Sequence, residues 1–118
     1  MNDNARKWVE ALRSGEFEQG RSRLRKGDQY CCLGVACELY RREHPDGPDW
    51  DDVEGEFAFD GCESMLPDVV RDWLELRTPD GDFGNGDHNT LTYMNDDGCT
   101  FEDIADVIES EPEGLFNE

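Results

Sequence analysis

The chain has 118 residues and a formal net charge of −19 at pH 7, from 11 basic and 30 acidic side chains. Hydrophobic residues make up 36% of the chain and aromatic residues 10%, which excludes full disorder, and the length fits a single domain over 1–118. The negative charge argues against binding long nucleic acid or an anionic membrane, and no apolar run approaches the roughly 20 residues that a membrane helix needs.

The first half of the chain predicts two helices and a hairpin. Apolar side chains recur at helical spacing over 3–14, and Gly15 ends that helix. A short hairpin follows, with Ser22–Arg25 against Gln29–Cys32 around a Lys-Gly-Asp turn. The next stretch, Cys31–Tyr40, is apolar nearly all round, so it predicts a buried central helix.

The second half predicts shorter elements between loops. We interpret 44–63 as a loop insertion, within which Val53–Phe59 forms a second strand pair. Pro67 opens a helix, and the Gly/Asp/Asn-rich segment 78–89 is a second insertion before a further short helix. Thr100 begins the last helix with a near capping box. The predicted fold is a helix-rich α+β domain with four or so helices and one or two short β-hairpins.

The five cysteines indicate reduced thiols. Their odd number and the lack of an apolar leader favour a cytoplasmic protein. No Cys-x2-Cys pair is present, so the spacing does not predict a zinc site, and burial as small apolar side chains is the simpler interpretation.

The charge is distributed unevenly. Residues 1–42 carry nine basic and six acidic groups, whereas residues 43–118 carry two basic groups against 24 acidic ones. Three interpretations of the acidic part stay open: a solvated shell, a mimic of a polyanion that occupies a basic surface of another protein, or cation binding.

Four cations lie within six residues between Gly20 and Gly27 of this otherwise acidic chain. In a strand, alternate arginines project from one face about 6.6–6.8 Å apart, a spacing that suits neighbouring phosphates. The alternative is that these arginines pair with acids of the same chain. The predicted ligand-binding residues are Gln19, Arg21, Arg23, Arg25, Lys26 and Tyr30.

No catalytic or metal motif is predicted. A calcium loop aligned from Asn85 would use Asn85, Asp87 and Asn89, but Thr90 and Asp96 stand where an EF-hand requires Gly and Glu. The nucleophile-elbow and zinc-protease motifs are also absent. A binding protein is therefore the leading interpretation, and a hydrolase or transferase without a recognisable motif ranks third, after the acidic inhibitor described below.

Several motifs resemble a widespread group of small uncharacterised proteins encoded by phages and prophages. They are Gly27–Cys37, Thr100–Ile108 and Glu111–Phe116, and the likeness extends over most of the chain. The resemblance implies an accessory protein in the cytoplasm of a prokaryotic host, where it would act against host defences. It carries over no catalytic residues.

We therefore expect a non-catalytic binding protein that holds a small phosphorylated ligand, such as a nucleotide signal. The alternative is an acidic inhibitor or nucleic-acid mimic that docks a basic host effector. Neither function requires a cofactor, a long nucleic acid or a membrane, and both are compatible with an oligomer.

Overall fold

The computed structural model describes residues 1–83 and 90–117, and within them the chain forms five helices and one five-stranded sheet. The elements follow in the order α1 (Asp3–Arg13), β1 (Glu18–Gln19), β2 (Arg25–Lys26), β3 (Gln29–Tyr30), α2 (Cys32–Glu43), β4 (Trp50–Val53), β5 (Glu56–Phe59), α3 (Asp68–Leu74), α4 (Leu91–Asp96) and α5 (Phe101–Glu109). The α+β class predicted from the sequence is confirmed.

The apolar helix α2 lies at the centre of the core. The indole nitrogen of Trp8, a buried residue of α1, donates a hydrogen bond to the carbonyl of Cys32 at 2.8 Å. Gly34 allows the chain before β2 to approach α2 closely, because a Cβ atom there would lie 1.7 Å from the carbonyl oxygen of Leu24. The predicted buried central helix is thus confirmed.

The strands form one sheet in the order β1-β3-β2-β5-β4. β1 pairs with β3 in parallel, and every other neighbouring pair is antiparallel. The first hairpin is where the sequence predicts it, but its first strand begins at Arg25 and not at Ser22. Ser22 has a φ of 69° and donates its backbone N–H to the carboxylate of Asp96 at 2.8 Å, so the chain there is not extended.

The second strand pair predicted over Val53–Phe59 is present as β4 and β5, but its first strand begins at Trp50, before the predicted range. Both lie within 44–63, the segment interpreted as a loop insertion, and this segment contributes the fully buried Phe59 to the core. Glu54 and Gly55 form the turn, with φ values of 56° and 83°. Two consecutive positive φ angles are typical of the two-residue turns that match the twist of a hairpin.

The last helix, α5, packs against α1. Thr100 caps it with the predicted box: the Thr100 side chain accepts from the Asp103 backbone, and the Asp103 carboxylate accepts from the Thr100 backbone. Ile104 and Ile108 of this helix are fully buried. The apolar faces of α1 and α5 thus cover one side of the core.

Candidate functional site

The six predicted ligand residues do not converge on one site. Gln19 is used internally, because its side-chain amide donates to the Asn95 side-chain oxygen at 3.0 Å and to the Cys99 carbonyl at 2.7 Å. Asn95 is itself 1% exposed, accepts a hydrogen bond from the backbone N–H of Cys32 at 3.1 Å, and donates to the carbonyl of Gly20 at 2.7 Å. Gln19 therefore belongs to a buried junction that fixes α4 to the start of α2.

The predicted row of guanidinium groups on one strand face was wrong. Arg21 and Arg23 precede β2, so the alternation that would align them with Arg25 does not apply. Arg23 lies between two carboxylates, 3.9 Å from Glu56 and 3.7 Å from Glu63. Its Nε atom is buried and has no hydrogen-bond partner among the described residues.

The two remaining cations of this segment point elsewhere. A guanidinium nitrogen of Arg21 lies 3.5 Å from the position that a Cβ of Gly98 would occupy, so Arg21 extends toward the turn after α4. Lys26 follows Arg25 in β2 and projects from the opposite face of the sheet. Neither Arg21 nor Lys26 is within ion-pairing distance of a carboxylate in 1–83 or 90–117.

Two predicted ligand residues, Arg25 and Tyr30, do meet. They are cross-strand neighbours, and Phe57 flanks Arg25 on its other side. The Arg25 guanidinium carbon lies 3.9 Å from the ring centre of Phe57, 5.1 Å from that of Tyr30 and 5.5 Å from that of Trp50. We call these four residues the arginine–aromatic cluster. Contacts of this kind between a cation and ring faces are attractive.

Arg25 has no acidic partner in this cluster among the described residues. Its Nε donates to the carbonyl of Gly27 at 2.9 Å, and no described carboxylate forms an ion pair with it. Burial raises the pKa of Tyr30, so its phenol is a neutral hydrogen-bond donor at pH 7. The cluster therefore presents cationic and neutral N–H and O–H groups in a strongly acidic protein.

A buried carboxylate, that of Glu38, is hydrogen-bonded to one member of the arginine–aromatic cluster, Trp50. Glu38 is 5% exposed and accepts hydrogen bonds from the Trp50 indole at 2.9 Å, from Arg41 at 2.8 Å and from Arg42 at 2.9 Å. Burial by itself raises the pKa of Glu38, but the hydrogen bonds from Arg41, Trp50 and Arg42 outweigh it and lower the pKa to about 2. Sequence reasoning missed Glu38, although its i+3 and i+4 arginines were a usable signal.

The sheet edge formed by β4 carries a second candidate surface, the acidic hairpin, which we define as 50–59. Asp51, Asp52 and Glu54 are exposed, and in the described chain none of them lies within ion-pairing distance of a cation. The Asp52 carboxylate accepts a hydrogen bond from the Gly55 backbone N–H at 2.8 Å, and no other described group donates to it. Between them Val53 is 63% exposed, the largest exposure among the bulky apolar residues that the structure describes.

Most cations of the protein are already paired internally, so they do not offset this acidity. Arg13 illustrates the pattern, because it contacts the carboxylates of Glu102, Asp106 and Glu109 on α5. In the described part of the chain seven basic side chains make such ion pairs: Arg6, Lys7, Arg13, Arg23, Arg41, Arg42 and Arg71. The alternative of internal pairing is thus correct for Arg23 but not for Arg25.

Three of the five cysteines are buried, and a cleft between α1 and α5 lies away from the predicted ligand residues. Cys31, Cys32 and Cys37 are buried, and burial raises the pKa of each, to about 11 for Cys31, so these thiols are neutral at pH 7. A cleft of about 360 Å³ between α1 and α5 is lined by Met1 and Val9 among others, and by none of the predicted ligand residues.

Metal-binding and membrane-spanning features are absent from 1–83 and 90–117. No group of three or more His, Cys, Asp or Glu side chains there is arranged to hold a metal ion. The calcium interpretation of Asn85, Asp87 and Asn89 lies outside these residues, as does the rest of 84–89 in the second insertion. None of the described helices combines the length and apolar character needed to cross a bilayer.

The chain belongs to a family described as a domain of unknown function, DUF8296, whose model matches residues 1–112. No curated protein and no solved structure matches the chain. The membership agrees with the resemblance to an uncharacterised family and assigns no activity.

Proposed function

We propose that this DUF8296 protein is a non-catalytic binding protein whose acidic hairpin docks onto a basic surface of a host protein. The observation that carries the proposal is the set of three exposed carboxylates, Asp51, Asp52 and Glu54, with no described cation of their own chain beside them. Elsewhere on the described surface some acids do have an arginine partner, as Asp106 and Glu109 have Arg13. A partner that supplies cations would remove the like-charge repulsion along this hairpin.

The exposed Val53 adds an apolar contact at the centre of the acidic hairpin. Interfaces commonly combine a small apolar centre with charged groups that steer association, and such steering weakens as salt increases. The resemblance to phage and prophage proteins supplies the setting, in which the partner is a nucleic-acid-binding effector of host defence in the cytoplasm.

Affinity capture from bacterial lysates, followed by binding measurements on the purified partner, tests this proposal. We compare wild type with the hairpin variant Asp51→Asn/Asp52→Asn/Glu54→Gln and with the control Glu10→Gln/Asp97→Asn/Glu113→Gln, which removes the same charge elsewhere. We expect at least a tenfold loss of affinity in the hairpin variant only, and a loss of affinity with added salt for wild type. Equal affinity of all three proteins would refute the proposal.

A second candidate function is supported by the arginine–aromatic cluster. Arg25 retains an unpaired charge beside Tyr30 and Trp50, an arrangement that suits a phosphate on the guanidinium and a base on a ring. We expect a cyclic or linear nucleotide to release heat on binding and to raise the melting temperature. Arg25→Gln should abolish both effects and the exposed control Arg77→Gln neither. Absence of heat over a broad nucleotide panel rules this function out.

A further inference from the structure

β4 is an edge strand, and its outer side is open. Among the residues that the structure describes it pairs only with β5, through Trp50 with Phe59, Asp52 with Phe57, and the residues between and beyond them. In the described chain no other segment forms backbone hydrogen bonds to the outer side of β4. Such an edge is a template for an additional strand.

The pairing pattern identifies which backbone groups face outward. The N–H and C=O of Phe59 bond to Cys62, at 2.8 and 2.9 Å, and therefore point away from β4. Antiparallel pairs alternate between hydrogen-bonded and non-hydrogen-bonded, so Trp50 and Asp52, opposite Phe59 and Phe57, belong to the second kind. The backbone N–H and C=O of Asp52 and the C=O of Trp50 are consequently directed to the open edge.

One other backbone group on the open edge of β4, the N–H of Trp50, already has a hydrogen-bond acceptor. The backbone N–H of Trp50 donates to the carboxylate of Asp49 at 2.7 Å, whereas the N–H of Asp52 has no described partner. The free part of the edge is therefore centred on Asp52. It lies where the unpaired carboxylates and the exposed Val53 also lie.

We propose that the acidic hairpin binds an extended basic segment of its partner as an added strand along β4. The inference rests on the proposed docking function and specifies its geometry. Side chains of the added strand would alternate between two faces, one carrying Asp51 and Val53 and the other Trp50 and Asp52. The complementary segment has consecutive cations, opposite Asp51 and Asp52, with an apolar residue opposite Val53.

The charge of an incoming strand also determines whether it can pair with β4. A second copy of β4 would place carboxylates against carboxylates, and like charges directly opposite one another destabilise a strand pair. A basic strand has the opposite effect. The same acids that prevent self-association through the edge thus favour a cationic partner.

The test uses the full chain and the peptide acetyl-Lys-Val-Arg-Arg-Val-Lys-amide, followed by NMR shifts of backbone amides. A second peptide with identical side chains carries N-methyl groups on its four central amides, so it keeps the charge but its four central residues cannot donate a backbone hydrogen bond to the edge. We expect the first peptide to shift the amide signals of Asp52 and its neighbours in β4, and the methylated peptide to bind at least tenfold more weakly.

The two proposals fail in different ways. Equal binding of the two peptides would overturn strand addition while leaving electrostatic docking intact. Equal binding of the first peptide to wild type and to the hairpin variant would overturn docking by the acidic hairpin itself. Shifts located outside β4, with β4 unaffected, would also overturn strand addition.

Discussion

Glu38 and the acids of the acidic hairpin are chemically alike, yet the fold treats them in opposite ways. Glu38 is buried and surrounded by donors from Trp50, Arg41 and Arg42. Asp51 and Glu54 are exposed and have no cation beside them in the described chain. A buried charge must be compensated where it lies, whereas water solvates an exposed charge and leaves it free for a partner. The contrast separates a carboxylate that is bonded within the fold from carboxylates that are left exposed to water.

The largest loss of stability is expected from a substitution in the core, Gly34→Ala. Helix propensity alone would make Gly34→Ala stabilising by about 1 kcal/mol. Because the new Cβ would meet the Leu24 carbonyl oxygen at 1.7 Å, we expect a loss of more than about 3 kcal/mol instead. Urea unfolding measures it. A Gly34→Ala variant as stable as wild type would show that the packing between α2 and Leu24 can adjust to the added methyl group.

Substituting Asn95 tests whether its buried hydrogen bonds contribute as much to stability as the buried charge of Glu38. Asn95→Leu keeps the number of side-chain heavy atoms but leaves the Cys32 N–H, the Gln19 amide and the Gly20 carbonyl short of a partner. We expect a loss of about 3 kcal/mol, since each unsatisfied buried group costs about 1–3 kcal/mol. The exposed Asp97→Asn should change the unfolding midpoint little. Similar midpoints for both variants would contradict this account.

Glu38→Gln examines the buried carboxylate directly through pH. The pKa of Glu38 falls from 4.5 to about 2 on folding, so its contribution to stability is complete above pH 4.5 and is lost as the pH falls toward 2. The shift corresponds to about 3 kcal/mol. We expect the stability gap between wild type and Glu38→Gln to narrow from pH 7 to pH 3 in urea unfolding. A constant gap for Glu38→Gln would be evidence against the lowered pKa of Glu38.

The smallest effect on stability is expected in the acidic hairpin. Asp51→Asn/Asp52→Asn/Glu54→Gln should leave the free energy of unfolding within about 0.5 kcal/mol of wild type, because the exposed acids have no described cation partner. The amide oxygen introduced at position 52 can still accept the Gly55 backbone N–H. Thermal unfolding measures the difference. A marked loss of stability would mean that these acids serve the fold, and the contrast with Glu38 would no longer hold.

The helices and the fold class followed from local patterns. The spacing of Trp8 and Leu12, the apolar run of α2 and the box at Thr100 each lie within one element, so the sequence alone predicts them. The second hairpin was also predicted, over 53–59, although its first strand begins earlier, at Trp50. The start of β2 was not, because the contact that bends the chain at Ser22 comes from Asp96, 74 residues away.

Composition and residue order were enough to show that the chain is acidic, that its cations concentrate in the first 42 residues, and that six residues there were candidates for binding an anion. The fates of those candidates became visible only in the folded chain, where Gln19 bonds to Asn95, Arg23 lies between acids, and Arg25 rests on aromatic rings. Periodicity reports which face of an element is buried, whereas the partner of a charge depends on segments that are distant in the chain and adjacent only after folding.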